Sequence, residues 1–427
     1  MNETTSPISR IAESIAQNAR VFVGIWLTIV LLVILFKGII PGWNNQTGDF
    51  NNYYTAAALV MEGKEIEQFY DNTWFSKEAH DMGISNGAKF APFPPLTAFI
   101  MTPIASFNHD TARWIWLIIN GLILLLLPFR LQRLSDLNLL WTAAITGLFF
   151  VPLIANLYFG QVYLLLTFVL IEALLLGLVK NRRKLAAGMI AIVALFKYFP
   201  ILFSAYLFGN RKSKTFASSI FNQKWMVYFI GTLLIVIIST YIAYPKSYQA
   251  YLGVFNNHLQ GNLSGQGSHA IAFQSIDSML NNLFLSNSPG ATQYPVLKTS
   301  FKALFFLGIG WCFFKILQRD QFRFSTINSS IFMFGAFVLI PASASYHFLF
   351  LLIPTLFIFD WLAEQKNNTA LVLFSILLLA TLSIQYHHIP TIHFSSNLND
   401  VVHYPRLWCL VILFGYLTHL KLRTRIG

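Results

Sequence analysis

The sequence predicts an all-α polytopic membrane protein, and three observations support this fold class. Apolar residues occupy 56% of the 427 positions and charged residues 11%, whereas soluble domains carry about 25% charged residues. Many apolar segments approach the roughly 20 residues with which a helix crosses a bilayer. The alternating segments of about ten residues that are typical of membrane β-strands are not seen. Because the chain has too few charges to cover a water-facing surface, we expect its helices to cross a membrane.

The apolar segments follow one another along the whole chain. They cover residues 21–41, 112–129, 138–156, 161–179, 185–207, 225–244, 298–317, 327–341, 345–362, 369–386 and 405–422. Cys312 and Cys409 both lie inside such segments, so no disulfide framework is expected. No internal repeat or low-complexity linker divides the chain. We therefore expect one membrane domain over residues 1–427.

The positions of the basic residues predict the orientation of the chain. The formal net charge is +12, and Lys and Arg cluster in short loops between apolar segments, which indicates the cytoplasmic side rather than nucleic-acid binding. Arg10 and Arg20 precede the first segment, so residues 1–20 are expected to form a cytoplasmic tail. Three loops then face outward: 42–111, 245–297 and 387–404.

Two apolar segments do not fit this orientation as single spans. Residues 94–107 are short and interrupted by Pro103, so we expect an interfacial or re-entrant helix there. Residues 185–207 have basic clusters on both sides and carry Lys197 and Pro200 near the middle, where proline breaks a helix. A re-entrant hairpin of two half-helices would place both clusters on one side of the membrane. We therefore predict about ten transmembrane helices, each in the length range that a bilayer requires. Re-entrant or interfacial helices and outer loops complete the domain.

The first outer loop carries the main candidate for acid–base chemistry. Asp49 follows the first apolar segment and stands close to Tyr53 and other aromatic residues. A carboxylate held among aromatic side chains at the bilayer surface can act as a general base toward a hydroxyl group. A solvated loop acid, or a cap of the helix predicted for residues 50–62, is the simpler interpretation of the local pattern. Asp71 is a second acidic candidate, for which a structural role is the simpler interpretation.

Ionisable and polar residues within or next to the spans are further candidates, because charges in lipid are costly and mark functional positions. Lys197 can bind a lipid phosphate, pair with Glu172 or extend to the interface. Arg113, at the outer end of a span, can meet a phosphate or anchor at lipid headgroups. Gln161 follows Gly160 at an outer helix start, where a polar contact and a simple turn explain the pair equally well.

The later outer segments supply two more candidates. Gln274 belongs to a loop of amides and hydroxyls, which can exchange hydrogen bonds with sugar hydroxyls. His347 lies at the outer junction of two spans, where it can orient a phosphate, carry a proton or be a satisfied interfacial histidine. Four histidines share the last outer loop, but no carboxylate spacing supports a metal site. We therefore expect no metal ion, no nucleotide and no other cofactor.

The order of these features resembles the opening of GT-C membrane glycosyltransferases. The pieces that carry this resemblance are Asp49-Phe50, Tyr53-Tyr54, Tyr70-Asp71 and Phe93-Pro94-Pro95-Leu96. The continuation is similar to glycosyltransferase family 87, the polyprenyl-phosphate-mannose-dependent α-mannosyltransferase group. Its matching pieces are Trp114 to Asn120, Gly160-Gln161, Ala187-Gly188 through Lys197 to Pro200, Gln274-Ser275 and Tyr346-His347. The resemblance runs over roughly residues 45–360.

This resemblance implies a GT-C fold with Asp49 as the general base and His347 near the donor. The residues then expected to bind the donor phosphate or sugar are His347, Lys197, Arg113, Gln161, Gln274 and Tyr53. Gln274-Ser275 stands where the family tends to show Asn-Gln-Ser, and Tyr346 stands where a Trp is common. These departures leave the sugar and the acceptor contacts open.

The implied activity is transfer of a hexose from a polyprenyl-phosphate donor to a lipid or glycan acceptor, with mannose the best-known donor sugar of the family. The resemblance places the protein in the plasma (inner) membrane among membrane lipids, with its active site facing the periplasm. A transporter or flippase of lipid-linked sugars is the main alternative, and it predicts polar residues along the spans themselves. A non-catalytic assembly protein of the envelope is another, in which the outer loops would be partner surfaces.

Overall fold

The computed structural model describes residues 7–44, 48–208, 224–259, 271–285, 294–322, 324–341, 343–384 and 401–424. Every regular element in these ranges is a helix, which confirms the all-α polytopic class. The first α-helices are α1 Pro7–Ile34, α2 Ile40–Asn44, α3 Phe50–Met61, α4 Asn72–Asp81, α5 His109–Gln132, α6 Leu139–Leu148, α7 Phe150–Phe159, α8 Tyr163–Leu174, α9 Arg183–Phe196 and α10 Ala205–Phe208. The later ones are α11 Lys224–Ala243, α12 Pro245–Leu259, α13 Ile276–Phe284, α14 Pro295–Arg319, α15 Thr326–Val338, α16 Leu352–Glu364, α17 Asn368–Ser383 and α18 Pro405–Arg423.

Short 3₁₀ and π segments join or extend several of these helices. The π segments are Leu35–Ile39 and Leu175–Val179. The 3₁₀ segments are Ile66–Tyr70, Pro95–Phe99, Phe199–Ser204 and Ser345–Leu351. The first π segment makes α1 and α2 one continuous helix, and the last 3₁₀ segment leads directly into α16.

Five helices in the described ranges are long and apolar enough to cross a membrane, or six if the pair α6 and α7, bent by 64°, is one span. The five are Arg20–Asn44, His109–Gln132, Lys224–Ala243, Pro295–Arg319 and Ser345–Glu364. Shorter apolar helices occupy Tyr163–Val179, Phe199–Phe208, Thr326–Val338 and Asn368–Ser383. Each predicted apolar segment thus coincides with a helix or with a broken helix.

Burial separates a central span from spans that face the lipid. In the apolar stretch of Ser345–Glu364, 78% is buried inside the protein, whereas the buried share is 6% in α11 and 11% in α14. Exposed apolar surface of that extent marks contact with a membrane. This central span begins at Ser345 and carries His347 in its first turn. His347 therefore belongs to the helix that the rest of the bundle surrounds.

The connections at one end of the bundle pack together, and they include the described parts of the predicted outer loops. The hydroxyl of Tyr54 donates a hydrogen bond to the carbonyl of Phe107. The side-chain amide of Gln274 donates to the carbonyl of His403. Loops from early, middle and late parts of the chain therefore meet here, and we call this end the site face.

The other end of the bundle is tied together by ionic contacts. Lys421 Nζ lies 2.9 Å from a carboxylate oxygen of Asp320. The backbone N–H of Asp136 donates to the carboxylate of Asp360. We call this end the opposite face, and the predicted orientation places it in the cytoplasm.

Both interrupted segments have the form that their prolines predict. The first consists of Pro95–Phe99 followed by turns, and it makes no span. In the second, α9 ends one residue before Lys197, whose backbone is extended with φ −147° and ψ 133°. The chain then returns, because Nη1 of Arg183 donates to the carbonyl of Leu207 at 3.2 Å. Residues 183–208 are thus a re-entrant hairpin with Lys197 at its tip, on the site face.

Candidate active site

Asp49 stands at the N-cap position of α3, but its carboxylate does not cap the helix. No side-chain cap hydrogen bond forms there. Instead, Oδ2 accepts a hydrogen bond from Gln161 Nε2 at 2.6 Å and Oδ1 accepts one from Asn52 Nδ2 at 3.0 Å. A carboxylate has about four lone-pair positions, so Asp49 keeps acceptor capacity for a further partner.

The second acidic candidate behaves in the opposite way. Asp71 also precedes a helix, and its Oδ1 accepts hydrogen bonds from the backbone N–H groups of Thr73 and Trp74 at 2.9 and 3.2 Å. These are the bonds with which an N-cap satisfies the unpaired donors of a first turn. Asp71 is therefore a capping residue, which gives it a structural role, and Asp49 is not.

Gln161 is placed by a tight turn between α7 and α8. Gly160 ends α7 in the left-handed region at φ 66°, which glycine adopts without steric cost. The indole N–H of Trp116 donates to the carbonyl of Gly160 at 3.1 Å, and the N–H of Gln161 donates to the carbonyl of Asn156 at 2.9 Å. Asn156 in turn donates from Nδ2 to Oδ1 of Asn120 at 3.1 Å. These hydrogen bonds between buried polar groups fix the conformation of the turn.

The amide of Gln161 connects the start of α3 to the turn between α7 and α8. Its Nε2 donates to Asp49, and its Oε1 accepts from the hydroxyl of Tyr53 at 2.9 Å. Because Asp49 directly precedes α3 in sequence and Tyr53 lies in its first turns, these two bonds fix α3 relative to the turn.

Lys197 reaches the same place from the tip of the re-entrant hairpin. Its Nζ lies 4.0 Å from the ring centre of Phe93, 5.3 Å from that of Tyr163 and 5.8 Å from that of Tyr53. An ammonium group over aromatic faces is stabilised by the ring quadrupoles. The alternative pairing with Glu172 does not occur, because the carboxylate of Glu172 binds Arg130.

Burial and charge act in opposite directions on the Asp49 carboxyl. Burial is the largest influence and raises its pKa, while the hydrogen bond from Gln161 and the positive charge of Lys197 lower it. The raised pKa is the sum of these effects. The result is a carboxylate of increased basicity with a cation close enough to act on it.

His347 lies beside the cluster with one ring nitrogen already occupied. Its Nδ1 accepts a hydrogen bond from the backbone N–H of Ala344 at 2.7 Å. In the neutral ring the proton is then on Nε2, which can donate to a ligand. The ring makes an edge contact with Tyr163 at 4.6 Å between centres and also contacts Tyr346. Two aromatic rings therefore set the orientation of the imidazole.

Arg113 has a different environment from the cluster. It is buried in the first turns of α5, and the neighbouring charge that acts on it is that of Asp110. In the described part of the chain we find no contact between Arg113 and Asp49, Lys197 or His347. Its role in donor binding stays a prediction.

Both the amide nitrogen and the amide oxygen of Gln274 form hydrogen bonds with backbone groups. Its Nε2 donates to the carbonyls of Ile271 and His403 at 2.8 and 2.9 Å, and its Oε1 accepts from the N–H of Arg406 at 3.3 Å. These bonds tie the second outer loop to the start of α18. The predicted contact of Gln274 with the donor sugar would have to form beside these bonds.

Three residues of the cluster were not among the sequence candidates. Tyr163 contacts both Lys197 and His347, the side chain of Asn52 donates to the Asp49 carboxylate, and the backbone carbonyl of Asn156 accepts from the N–H of Gln161. A polar residue inside an apolar segment is a signal that could have pointed to Asn156. Tyr163 and Asn52 carry no comparable signal, because tyrosine and asparagine are common at helix starts.

Acidic groups that could hold a metal ion lie elsewhere. In the ranges described, the group of three or more candidate ligands within reach of one another is Asp136, Asp360 and Glu364, on the opposite face. Three of the four histidines in the last outer loop, His387, His388 and His393, lie outside the described residues.

A comparison with family models matches one family to this chain. The model described as glycosyltransferase family 87 matches residues 90–341, which is more than half of the sequence. The matched range includes Gln161 and Lys197, while Asp49 and His347 lie on either side of it. Comparisons with curated proteins and with solved structures found no match. The chain is a glycosyltransferase of the membrane and belongs to glycosyltransferase family 87.

Proposed function

We propose that this protein transfers a hexose, with mannose the first candidate, from a polyprenyl-phosphate donor to a hydroxyl group of a lipid or glycan acceptor at the outer face of the plasma membrane. One observation carries the proposal. The carboxylate of Asp49 does not cap α3. It accepts a hydrogen bond from Gln161 and lies close enough to Lys197, at the tip of the re-entrant hairpin, for that charge to act on it. A base next to a cation is what displacement of a phosphate by a hydroxyl group requires.

The proposed reaction is a single inverting displacement. The acceptor O–H gives its proton to the Asp49 carboxylate while its oxygen forms a bond to C1 of the sugar. The bond from C1 to the phosphate oxygen breaks, and its electron pair leaves with the polyprenyl phosphate. The raised pKa of Asp49 supports this role, because a more basic carboxylate takes the proton more readily.

The leaving phosphate needs positive charge and hydrogen-bond donors. Lys197 supplies an ammonium group whose charge already acts on Asp49. His347 supplies Nε2–H in the tautomer that its bond to Ala344 selects. A preorganised donor of this kind is worth about 10²–10³ in rate when it meets charge that develops in the transition state.

The depth of the cluster suits a lipid-linked donor. A polyprenyl tail stays among the acyl chains, so its sugar phosphate is presented at headgroup depth. Lys197 enters at the tip of a hairpin that starts and ends on the opposite face. In this proposal the donor approaches along the membrane and the acceptor approaches from the outer loops.

The test is sugar transfer by purified protein in detergent with polyprenyl-phosphate mannose and an extract of envelope lipids and glycans. A transferase gives an acceptor heavier by one hexose in mass spectrometry, and envelopes of cells without the protein lack the same species. A flippase gives no product in detergent, because a micelle has no two sides. Intact donor after prolonged incubation, together with unchanged envelopes, would contradict the proposal.

A further inference from the structure

A cavity of about 520 Å³ opens on the opposite face, away from the Asp49 cluster. Its lining includes four basic side chains, Arg182, Arg183, Lys184 and Lys224, together with Trp225. Among the described residues, no acidic side chain lines it. We call it the basic cavity.

Two parallel helices create this concentration of positive charge. Nζ of Lys184 in α9 donates to the hydroxyl of Tyr228 in α11 at 3.3 Å. A Cβ on Gly188 would lie 3.4 Å from Oγ1 of Thr232, and both pairs have the same separation of 44 residues. A constant separation means that α9 and α11 run in the same direction, so their N-termini lie side by side.

Both of these N-termini lack negative groups of their own. Neither first turn contains an acidic residue, and no side chain caps α9. The N-terminus of a helix carries about half a positive elementary charge and presents unpaired N–H groups. Two such ends therefore add to the charge of the four basic side chains.

Three of the four basic side chains have no carboxylate partner among the residues that the structure describes. In the described ranges, Arg182, Lys184 and Lys224 form no ion pair with a carboxylate, although other basic residues of this face do, such as Lys421 with Asp320. Residues 197–223, which connect α9 to α11 in sequence, contain no Asp or Glu. An external anion can balance this charge.

The surroundings favour a lipid as the source of that anion. Trp225 is buried in the wall of the cavity, and the next turn of α11 exposes Val227 and Tyr228. Tryptophan and tyrosine favour the boundary between headgroups and acyl chains. Basic recesses between helices at this boundary bind phosphate-bearing headgroups.

We propose that the basic cavity binds the headgroup phosphate of an anionic phospholipid, whose acyl chains lie along the exposed apolar side of α11. The site is separate from the proposed reaction centre. From the first residue of α9 to Lys197 the helix rises about 21 Å at 1.5 Å per residue. Binding at this distance adds a lipid contact to the transferase and does not depend on its reaction.

The experiment measures lipid binding to the purified full-length protein by native mass spectrometry. The probes are phosphatidylglycerol and phosphatidylcholine with the same acyl chains. The test variant combines Arg182→Gln, Lys184→Gln and Lys224→Gln. We expect it to bind phosphatidylglycerol about 100-fold more weakly, since each of the three basic residues near a membrane surface adds roughly fivefold, and to bind phosphatidylcholine as the wild type does.

The control variant removes three basic residues of the same face that lie outside the cavity, through Arg133→Gln, Lys366→Gln and Arg423→Gln. Equal losses in both triple variants, or equal binding of the two lipids by the wild type, would overturn the proposal. Displacement of bound lipid by inorganic pyrophosphate at similar concentration would assign the site to a free phosphate compound instead. If the test variant melts early, the exposed single variant Lys224→Gln is expected to show about a fivefold loss.

Discussion

At the scale of single residues, Asp49 and Asp71 show how the same position in a helix acquires different roles. Both precede a helix in the first outer loop. Asp71 bonds the N–H groups of its own first turn, whereas Asp49 bonds the side chain of Gln161. The difference comes from a partner that is more than a hundred residues away, so a local pattern cannot distinguish the two. This is why the sequence left capping and catalysis open for Asp49.

The hydrogen bond from Gln161 leads to a prediction about pH. It lowers the pKa of Asp49, which burial raises. The variant Gln161→Ala removes the lowering influence, so the pKa rises further and the base is protonated at higher pH. We expect the acid limb of the kcat/KM profile to move to higher pH, and the rate at neutral pH to fall about tenfold, as for a lost hydrogen bond to a charged group.

The matched control is Gln365→Ala, an exposed glutamine on the opposite face. It should leave both the acid limb and the rate unchanged. An acid limb that stays in place in Gln161→Ala would show that Asp49 is not the titrating base.

At the scale of elements, the turn that ends α7 holds the site together. Gly160 has φ 66°, and a Cβ there would lie 2.6 Å from the Cβ of Phe50. Phe50 is the first residue of α3, directly after Asp49. The missing side chain of Gly160 therefore lets α3 approach the turn closely enough for Asp49 to meet Gln161.

We predict that Gly160→Ala destabilises the protein and lowers its rate. The left-handed conformation costs about 1–2 kcal/mol for a residue with a Cβ, and the contact with Phe50 adds to this. Thermal unfolding of the purified protein measures the first effect, and the transfer assay measures the second. The control Gly121→Ala lies within α5, where a Cβ meets nothing within 4 Å. It should be neutral or stabilising by up to about 1 kcal/mol, and equal unfolding of both variants would contradict this account of the turn.

The re-entrant hairpin shows what an element pattern can predict. Basic clusters on both sides of an apolar segment, with Lys197 and Pro200 in its middle, were sufficient to predict the return of the chain. The aromatic rings that surround Lys197 were not predictable in the same way. Phe93 and Tyr163 belong to distant segments, and only the packing of the bundle brings them together with the hairpin tip.

At the scale of the whole molecule, the apolar pattern predicted where the helices lie, and the loop charges predicted which loops share a face. Membrane helices are readable from sequence because each must satisfy its own backbone groups over a known thickness. Contacts such as the bonds of Gln274 with backbone groups of two loops could not be read in this way, since they depend on side-chain packing. Arg113 and Gln274 illustrate this, because the family resemblance grouped them with Asp49 and the fold gives them other neighbours.

The orientation in the membrane is a prediction for the whole molecule. In a background with Cys312→Ala and Cys409→Ala, we place single cysteines at exposed positions through Glu65→Cys on the site face and Lys366→Cys on the opposite face. A membrane-impermeant maleimide should label Glu65→Cys on intact cells. It should label Lys366→Cys only after lysis, because the positive-inside rule places that face in the cytoplasm. Labelling in the reverse order would place the cluster in the cytoplasm and contradict the proposed outer-face reaction.

The central claim is that Asp49 is the base of a sugar transfer, and Asp49→Asn tests it most directly. Asparagine keeps the shape of the side chain but cannot accept the proton, so transfer by purified protein from polyprenyl-phosphate mannose should fall about 10²–10⁴-fold. The melting temperature and donor binding should stay close to wild type. Asp71→Asn is the control, because asparagine also caps helices, and it should retain activity. Transfer by folded Asp49→Asn within a few-fold of the wild-type rate would contradict the account.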